Sequence, residues 1–262
     1  MSPVTVQSGD SPVILGLPHG GTFVPEEMFA RLNQRGKGLD DTDWHISQLY
    51  EGLLPDVTTV TATFHRYVID ANRDPEGVSL YPGQNTTGLC PLTDFDGNPI
   101  WREGQQPSAD EIGQRQLQFH KPYHDALAAE IERVRAVHGH AILYDCHSIR
   151  SKIPYLFEGL LPVFNIGTNN ATTCAAEIEQ AVLAICREAT GFDHVLNGRF
   201  KGGWTTRHYG RPEQNVHAIQ MEIAQRAYMN EQAPWTYRDD LAAQLRPHLS
   251  QILRALAACQ IT

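Results

Sequence analysis

The chain has 262 residues, 41% of them hydrophobic, and carries 30 acidic against 21 basic residues for a net charge of −9. That length buries a sizeable core, and a negative balance with no Lys/Arg-rich run argues against a phosphate-tracking nucleic-acid surface, so an anionic ligand must be met by local arginines. The amino-terminal stretch MSPVTVQSGDSPV has no basic n-region or long apolar run, and no later apolar run reaches transmembrane length, which leads us to expect a cytoplasmic protein with no membrane partner.

The first apolar run, PVILGL, reads as a buried strand and is followed by His19, Gly20 and Gly21. In an open α/β sheet ligands gather where strands end, and glycines there let a ligand or metal approach the backbone closely. Asp40, Asp41 and Asp43 then precede a helix predicted over WHISQLYEGLL, where any one of them also reads as a helix cap. The next strand, TTVTATF, leads into HRYVIDANRDP with Arg66, Asp70, Asn72 and Arg73. Its two guanidinium groups can bind carboxylates bidentately, or can form a structural salt-bridge network. From Asp74 to Pro107 the chain is rich in Pro, Gly, Asn and Asp, far longer than an ordinary connection. Tyr81, Leu89, Phe95 and Trp101 favour an ordered loop beside the site over a disordered insert.

Ser108 and Glu111 have capping-box spacing and open a helix that runs to Gly139, with a kink expected at Pro122. Inside it HKPYH places His120 and His124 at the i, i+4 spacing of the HExxH zinc motif. Lys121 stands in place of the glutamate and Pro122 interrupts the turn, which opposes metal binding, although His124 stays a candidate for the pocket wall. The strand HAILYDCH ends on a second histidine, His147, and Asp145 shares its face and can orient its ring. After the strand LPVFNIGT come a helix over NATTCAAEIEQAVLAICREA, the double-glycine turn KGGW, and the strand HAIQMEIA, which carries Glu222 in an apolar setting. A lone acid there is costly unless it is paired or faces a site. An amphipathic helix closes the chain and is expected to pack on the sheet. Five scattered cysteines without CxxC spacing read as small buried apolar residues.

The alternation of strands and helices predicts one α/β domain over residues 1–262, with helices on both faces of a sheet and a long active-site loop at about 74–107. Two strand-end histidines suit a zinc site, which needs a third ligand, usually a carboxylate, and one position open to water.

Several motifs in order, PHGGTFVPEE, DTDWH, RYVIDANRDP, YDCHSIRS, FNIGTNN, KGGWTTRHYG and HAIQMEIAQRAYM, resemble the N-formylglutamate amidohydrolase family, a distant relation of the zinc carboxypeptidases. The resemblance implies a three-layer α/β/α sandwich with a mixed, mostly parallel central sheet of the phosphorylase/hydrolase-like type. It also implies metal-dependent hydrolysis of an amide to formate and L-glutamate in histidine breakdown, with one zinc ion per chain and a small anionic substrate. On this likeness His19 and His147 are the zinc imidazoles. Thr22 stands where the carboxypeptidases place a ligating glutamate, so Asp43 is taken as the third ligand ahead of Asp40, Asp41, Glu26 and Glu27. Arg66 matches the arginine that stabilises the developing oxyanion, Asn72 and Arg73 the pair that grips a terminal carboxylate, and Glu222 the catalytic glutamate. Arg150 or Arg207 is assigned to the second carboxylate. A zinc hydrolase of another N-acyl amino acid or of a peptide carboxy terminus, and a non-enzymatic metal- or amino-acid-binding protein, are the alternatives.

Overall fold

The computed structural model describes residues 2–80 and 82–261; Tyr81, used above in favour of an ordered loop, lies outside the described residues. Seven strands form one sheet: β1 (Val4–Gln7), β2 (Val13–Leu17), β3 (Thr58–Ala62), β4 (Ala141–Ile149), β5 (Phe164–Gly167), β6 (His194–Leu196) and β7 (Val216–Ala224). Their spatial order is β1-β3-β2-β4-β7-β5-β6. The centre, β3-β2-β4-β7, is parallel; β1 and β5 join it antiparallel, and β6 runs parallel to β5. The expected mixed, mostly parallel sheet is therefore present.

Period-two alternation sorts the strand residues between two helical layers. Val13, Leu15, Tyr144, Met221 and Ile223 pack with α2 (Ile46–Tyr50), α5 (Ala176–Glu188) and α7 (Asp239–Ala257). On the opposite face Ile14, Leu143 and Ala218 pack with Tyr123, Leu127 and Ile131. These last belong to a helical stretch that starts as α3 (Ala109–Arg115), widens into a π-turn over 116–120 and continues as α4 (Lys121–His138). Ser108 caps it by accepting the Glu111 N–H at 3.3 Å, and Gly139 ends it in the left-handed region at φ 77°. Just before Pro122, where the sequence predicts a kink, the Lys121 N–H reaches back to the Gln116 carbonyl in that π-turn, and the proline stands in the first turn of α4. Two short helices, α1 (Glu26–Arg31) and α6 (Trp204–Tyr209), and the strands β1 and β6 carry too little periodic pattern to be predicted.

Winding reverses at the centre of the sheet: β3 pairs on one side of β2 and β4 on the other. The crevice beyond the carboxyl ends of β2 and β4 is thus a topological switch point, where open α/β sheets bind ligands. His19 follows β2 and His147 lies near the end of β4, so both face this crevice. The glycines after His19 have a steric task as well. A Cβ on Gly21 would come within 2.4 Å of the Thr63 carbonyl carbon, so the turn can lie on the end of β3 only without a side chain.

Candidate metal centre and active-site cleft

His19 and His147 are buried, and their Nδ1 atoms face each other at 3.1 Å. Bonds of about 2.05 Å at a tetrahedral ion would set two ring nitrogens roughly 3.3 Å apart, close to this spacing. Each ring is backed by a carboxylate. Asp70 Oδ1 lies 2.7 Å from His19 Nε2, and Asp145 Oδ1 approaches His147 Nε2 at 3.0 Å, obliquely enough to leave that oxygen without a hydrogen bond. Carboxylates behind metal-binding imidazoles fix the tautomer and raise basicity. Burial and the neighbouring Arg66 lower the His19 pKa to about 4, so its ring is neutral and presents a lone pair. For His147 burial opposes the cation, but Asp145, Asp43 and Glu222 outweigh it and raise its pKa well above the usual value. The same acidic surround favours a cation at this ring.

Asp43 completes the set. One ring nitrogen each of His19 and His147 and one carboxylate oxygen of Asp43 supply donor atoms that all lie within 4.8 Å of one another. Although burial raises its pKa, Arg66, His147 and His19 more than offset this and keep the carboxylate charged. Its Oδ2 accepts the Ser148 N–H at 2.8 Å, and Oδ1 receives Arg66 Nη2 at 2.5 Å. Removing one partner of such a buried ion pair costs about 3–5 kcal/mol. The Arg66 guanidinium also lies 4.9 Å over the Phe95 ring, which fixes its plane. Two imidazoles and one carboxylate fit a divalent ion that keeps a fourth position for solvent or substrate. The other acids considered are elsewhere: Asp41 accepts the Tyr67 hydroxyl at 2.8 Å and the Phe95 N–H at 2.9 Å, Asp40 is half-buried, and Glu26 and Glu27 are exposed on α1.

Glu222 sits opposite His147 in the β4–β7 register, on the same sheet face, in a cleft with about 610 Å³ of space including its open mouth. Burial pushes its pKa up to about 8, against the pull of the His147 cation, so the group can take and release a proton near neutral pH. Gln220, two residues earlier on the same face, donates to Glu222 Oε2 at 3.2 Å and accepts the Gly203 N–H at 2.7 Å. The KGGW turn then holds Asn72, whose Oδ1 accepts the Thr205 N–H at 2.9 Å while Nδ2 lies 3.1 Å from His147 Nε2. A Cβ on Gly203 would sit 2.2 Å from that amide, so this glycine makes room for Asn72.

The cleft gathers His19, Arg66, Asn72, Arg73, His147 and Glu222. Arg150 and Arg207 are not among its walls. Arg150 pairs with Asp96 at 3.1 Å, and the Arg207 Nε donates to the Gly202 carbonyl at 2.9 Å, so neither is placed to take a substrate carboxylate. His124 does not line the cleft either: Nε2 contacts the Ala71 carbonyl at 2.8 Å and Nδ1 the Tyr209 hydroxyl at 3.1 Å. His120 Nε2 is taken by the Arg73 carbonyl at 3.0 Å, which disposes of HKPYH as a metal pair. Sequence reasoning noticed Asp70 without seeing it as the partner of His19, and it missed Gln220 and the cleft residue Arg199. Gln220 had a usable signal, a polar residue two before Glu222 on a buried strand.

Sheet, donor triad, glutamate and arginines together define a hydrolase of the α/β/α class. Comparison with known proteins makes this particular: the chain belongs to the N-formylglutamate amidohydrolase family, which it matches over residues 11–229. It is 45% identical to the N-formylglutamate deformylase of Pseudomonas aeruginosa over 97% of this chain and 96% of the relative. To the N-formylglutamate deformylase of Pseudomonas putida it is 44% identical, with the same coverage. The fold is shared with the crystal structure of an N-formylglutamate amidohydrolase from Ralstonia eutropha JMP134, at a TM-score of 0.82 and 24% identity over 98% of this chain and 97% of that one.

Proposed function

We propose that this protein hydrolyses N-formyl-L-glutamate to formate and L-glutamate, using one zinc ion held by His19, Asp43 and His147, as a cytoplasmic step of histidine breakdown. The observation that carries the reading is a cleft that joins the two imidazoles of that donor triad, which Asp43 completes from behind the wall, with a buried glutamate and with arginines suited to an anionic substrate. The names of the two Pseudomonas relatives support the choice of substrate.

When bound, zinc supplies Lewis acidity at the formyl oxygen and lowers the pKa of a water at the same centre. Asp70 and Asp145 keep the two rings turned with Nδ1 inward. Glu222 takes the proton of the attacking water on its carboxylate and returns it to the amide nitrogen as the C–N bond breaks. Gln220 holds the Glu222 carboxylate in place for both transfers. Arg66, locked between Asp43 and Phe95, sets a buried positive charge beside the oxygen that becomes negative. Asn72 and Arg73 grip the α-carboxylate, and the 74–107 loop forms part of the cleft wall through Thr86, Thr87 and Phe95.

The direct test is formate release from N-formyl-L-glutamate by purified protein. We expect equal amounts of formate and glutamate, loss of activity with a chelator, and recovery on adding zinc. No formate from the zinc-loaded protein would overturn the substrate, and turnover indifferent to chelation would overturn the metal.

Arg73 allows a finer check. Its Nε donates to the Thr87 carbonyl at 2.8 Å and Nη2 to the Thr87 hydroxyl at 3.0 Å, so the planar fork is fixed before substrate arrives. Arg73→Lys keeps the charge and loses the fork, and we expect KM to rise roughly tenfold with kcat changed much less. Unchanged kinetics would move the α-carboxylate elsewhere.

A further inference from the structure

N-formylglutamate carries two carboxylates, and the arginines assigned to the second one from sequence, Arg150 and Arg207, lie outside the cleft. Three arginines line it: Arg66, Arg73 and Arg199. Arg66 is committed to Asp43 beside the donor triad. Arg73 follows Asn72, which touches His147, and so stands near the reacting end; its charge is shared with Asp70, at 3.6 Å.

Arg199 occupies a different part of the wall, on the connection from β6 to α6, next to Phe200 and Leu156. Its Nε donates to the Leu156 carbonyl at 2.9 Å and Nη2 to the Asn85 carbonyl at 2.8 Å. These two backbone acceptors fix the direction of the side chain and tie three chain segments together at the cleft. Asn85 is continuous with Thr86 and Thr87, and Thr87 is the residue that fixes Arg73. The two guanidinium groups are therefore anchored to one three-residue strip, Arg199 at the Asn85 carbonyl and Arg73 at Thr87, whose hydroxyl and that of Thr86 accept from Arg73 Nη2 at 3.0 and 3.5 Å. Two cations held by one strip in the wall of one cleft suit a short dicarboxylate, one carboxylate to each arginine.

We propose that Arg199 receives the side-chain carboxylate of the substrate and sets the preference of the cleft for N-formyl amino acids with a second negative charge. This assignment rests on the deformylase reading above. The test compares N-formyl-L-glutamate with N-formyl-L-glutamine, which differ only in that charge, using the zinc-loaded protein, Arg199→Gln and Arg199→Lys. Binding of the products L-glutamate and L-glutamine is measured in parallel by calorimetry.

A charged hydrogen bond of this kind corresponds to roughly 10- to 100-fold in affinity, so the unaltered enzyme should prefer the glutamate substrate by about that factor. Arg199→Gln should bring the ratio close to one, mainly through KM, and Arg199→Lys should restore part of it. Equal loss on both substrates would reduce Arg199 to a tie between loops and overturn the proposal. So would a preference that survives Arg199→Gln and collapses in Arg73→Lys, or an unaltered enzyme with no preference. If neither substrate is turned over, the deformylase reading fails separately. The glutamate-to-glutamine binding ratio then decides: a ratio abolished by Arg199→Gln sustains the assignment, and a ratio that is unmoved or absent overturns it.

Discussion

Glu222→Gln is expected to lower turnover of N-formyl-L-glutamate by roughly 10²-fold or more while the protein keeps its fold and its zinc. The variant retains the shape of the side chain and an oxygen that can accept from Gln220, so the network from Glu222 through Gln220 to Gly203 can persist. What it loses is a group that holds a proton between the attack of water and the departure of the nitrogen. Burial is what suits the native carboxyl to that task, since it raises the pKa to about 8 and keeps either protonation state within reach near neutral pH. Metal analysis, substrate binding and single-turnover kinetics on the variant separate the possible results. Loss of zinc with activity would make Glu222 a ligand and return Asp43 to its pairing with Arg66. Near-normal turnover with zinc retained would mean that another group activates the water.

Removing either imidazole should have an effect as large by a different route. His19→Ala and His147→Ala are expected to bring zinc content from about one ion per chain to a small fraction of that, and to abolish formate release. His120→Ala should retain the full complement, because that ring serves the Arg73 carbonyl and not the triad. Each alanine variant leaves a buried carboxylate without its imidazole, Asp70 or Asp145, so far-UV circular dichroism must accompany the metal measurement. Asp70→Asn supplies a gentler version. It keeps a side chain of the same shape against His19 and should weaken zinc binding by roughly 10- to 100-fold, as loss of an outer-shell carboxylate does. Full zinc content in both alanine variants would remove the triad as the metal site.

Much of this centre was legible before any coordinates because strand ends announce themselves in sequence. His19 and His147 stand out as polar residues placed where apolar runs stop, and Glu222 as an acid where none is expected. Asp43 was harder to single out, since an acid before a helix has an ordinary explanation; only its contacts with Arg66 and Ser148 show a different use. The arginines were the least legible. A guanidinium on a long stem takes its partner from whatever the fold brings near, and for Arg150 that is Asp96, in the long loop more than fifty positions away. Nothing in a linear reading of NGRFKGGW distinguishes Arg199 from an ordinary surface arginine. In the fold, β2, β4 and β7 were recognisable from dense apolar patterning, whereas β1 has four residues and β6 three, too few to show a period. At Pro122 the sequence shows the missing N–H, which predicts a kink, but not the wider turn that precedes it.

The pairing of His147 with Glu222 across β4 and β7 has a consequence for how such a protein can change over time. The imidazole and the carboxyl face each other across one rung of the longest ladder in the sheet, and Asn165 of β5 braces the Glu222 carbonyl from the far side at 3.1 Å. Their separation is thus set by backbone spacing that no surface substitution alters. Arg73, Thr87 and Arg199, by contrast, belong to connections that tolerate insertion and exchange. On the assignments proposed above, the His147–Glu222 pair and the groups that choose the acid belong to different parts of the chain, so a descendant could acquire a taste for another acylated amino acid by rewriting its loops while inheriting that pair intact.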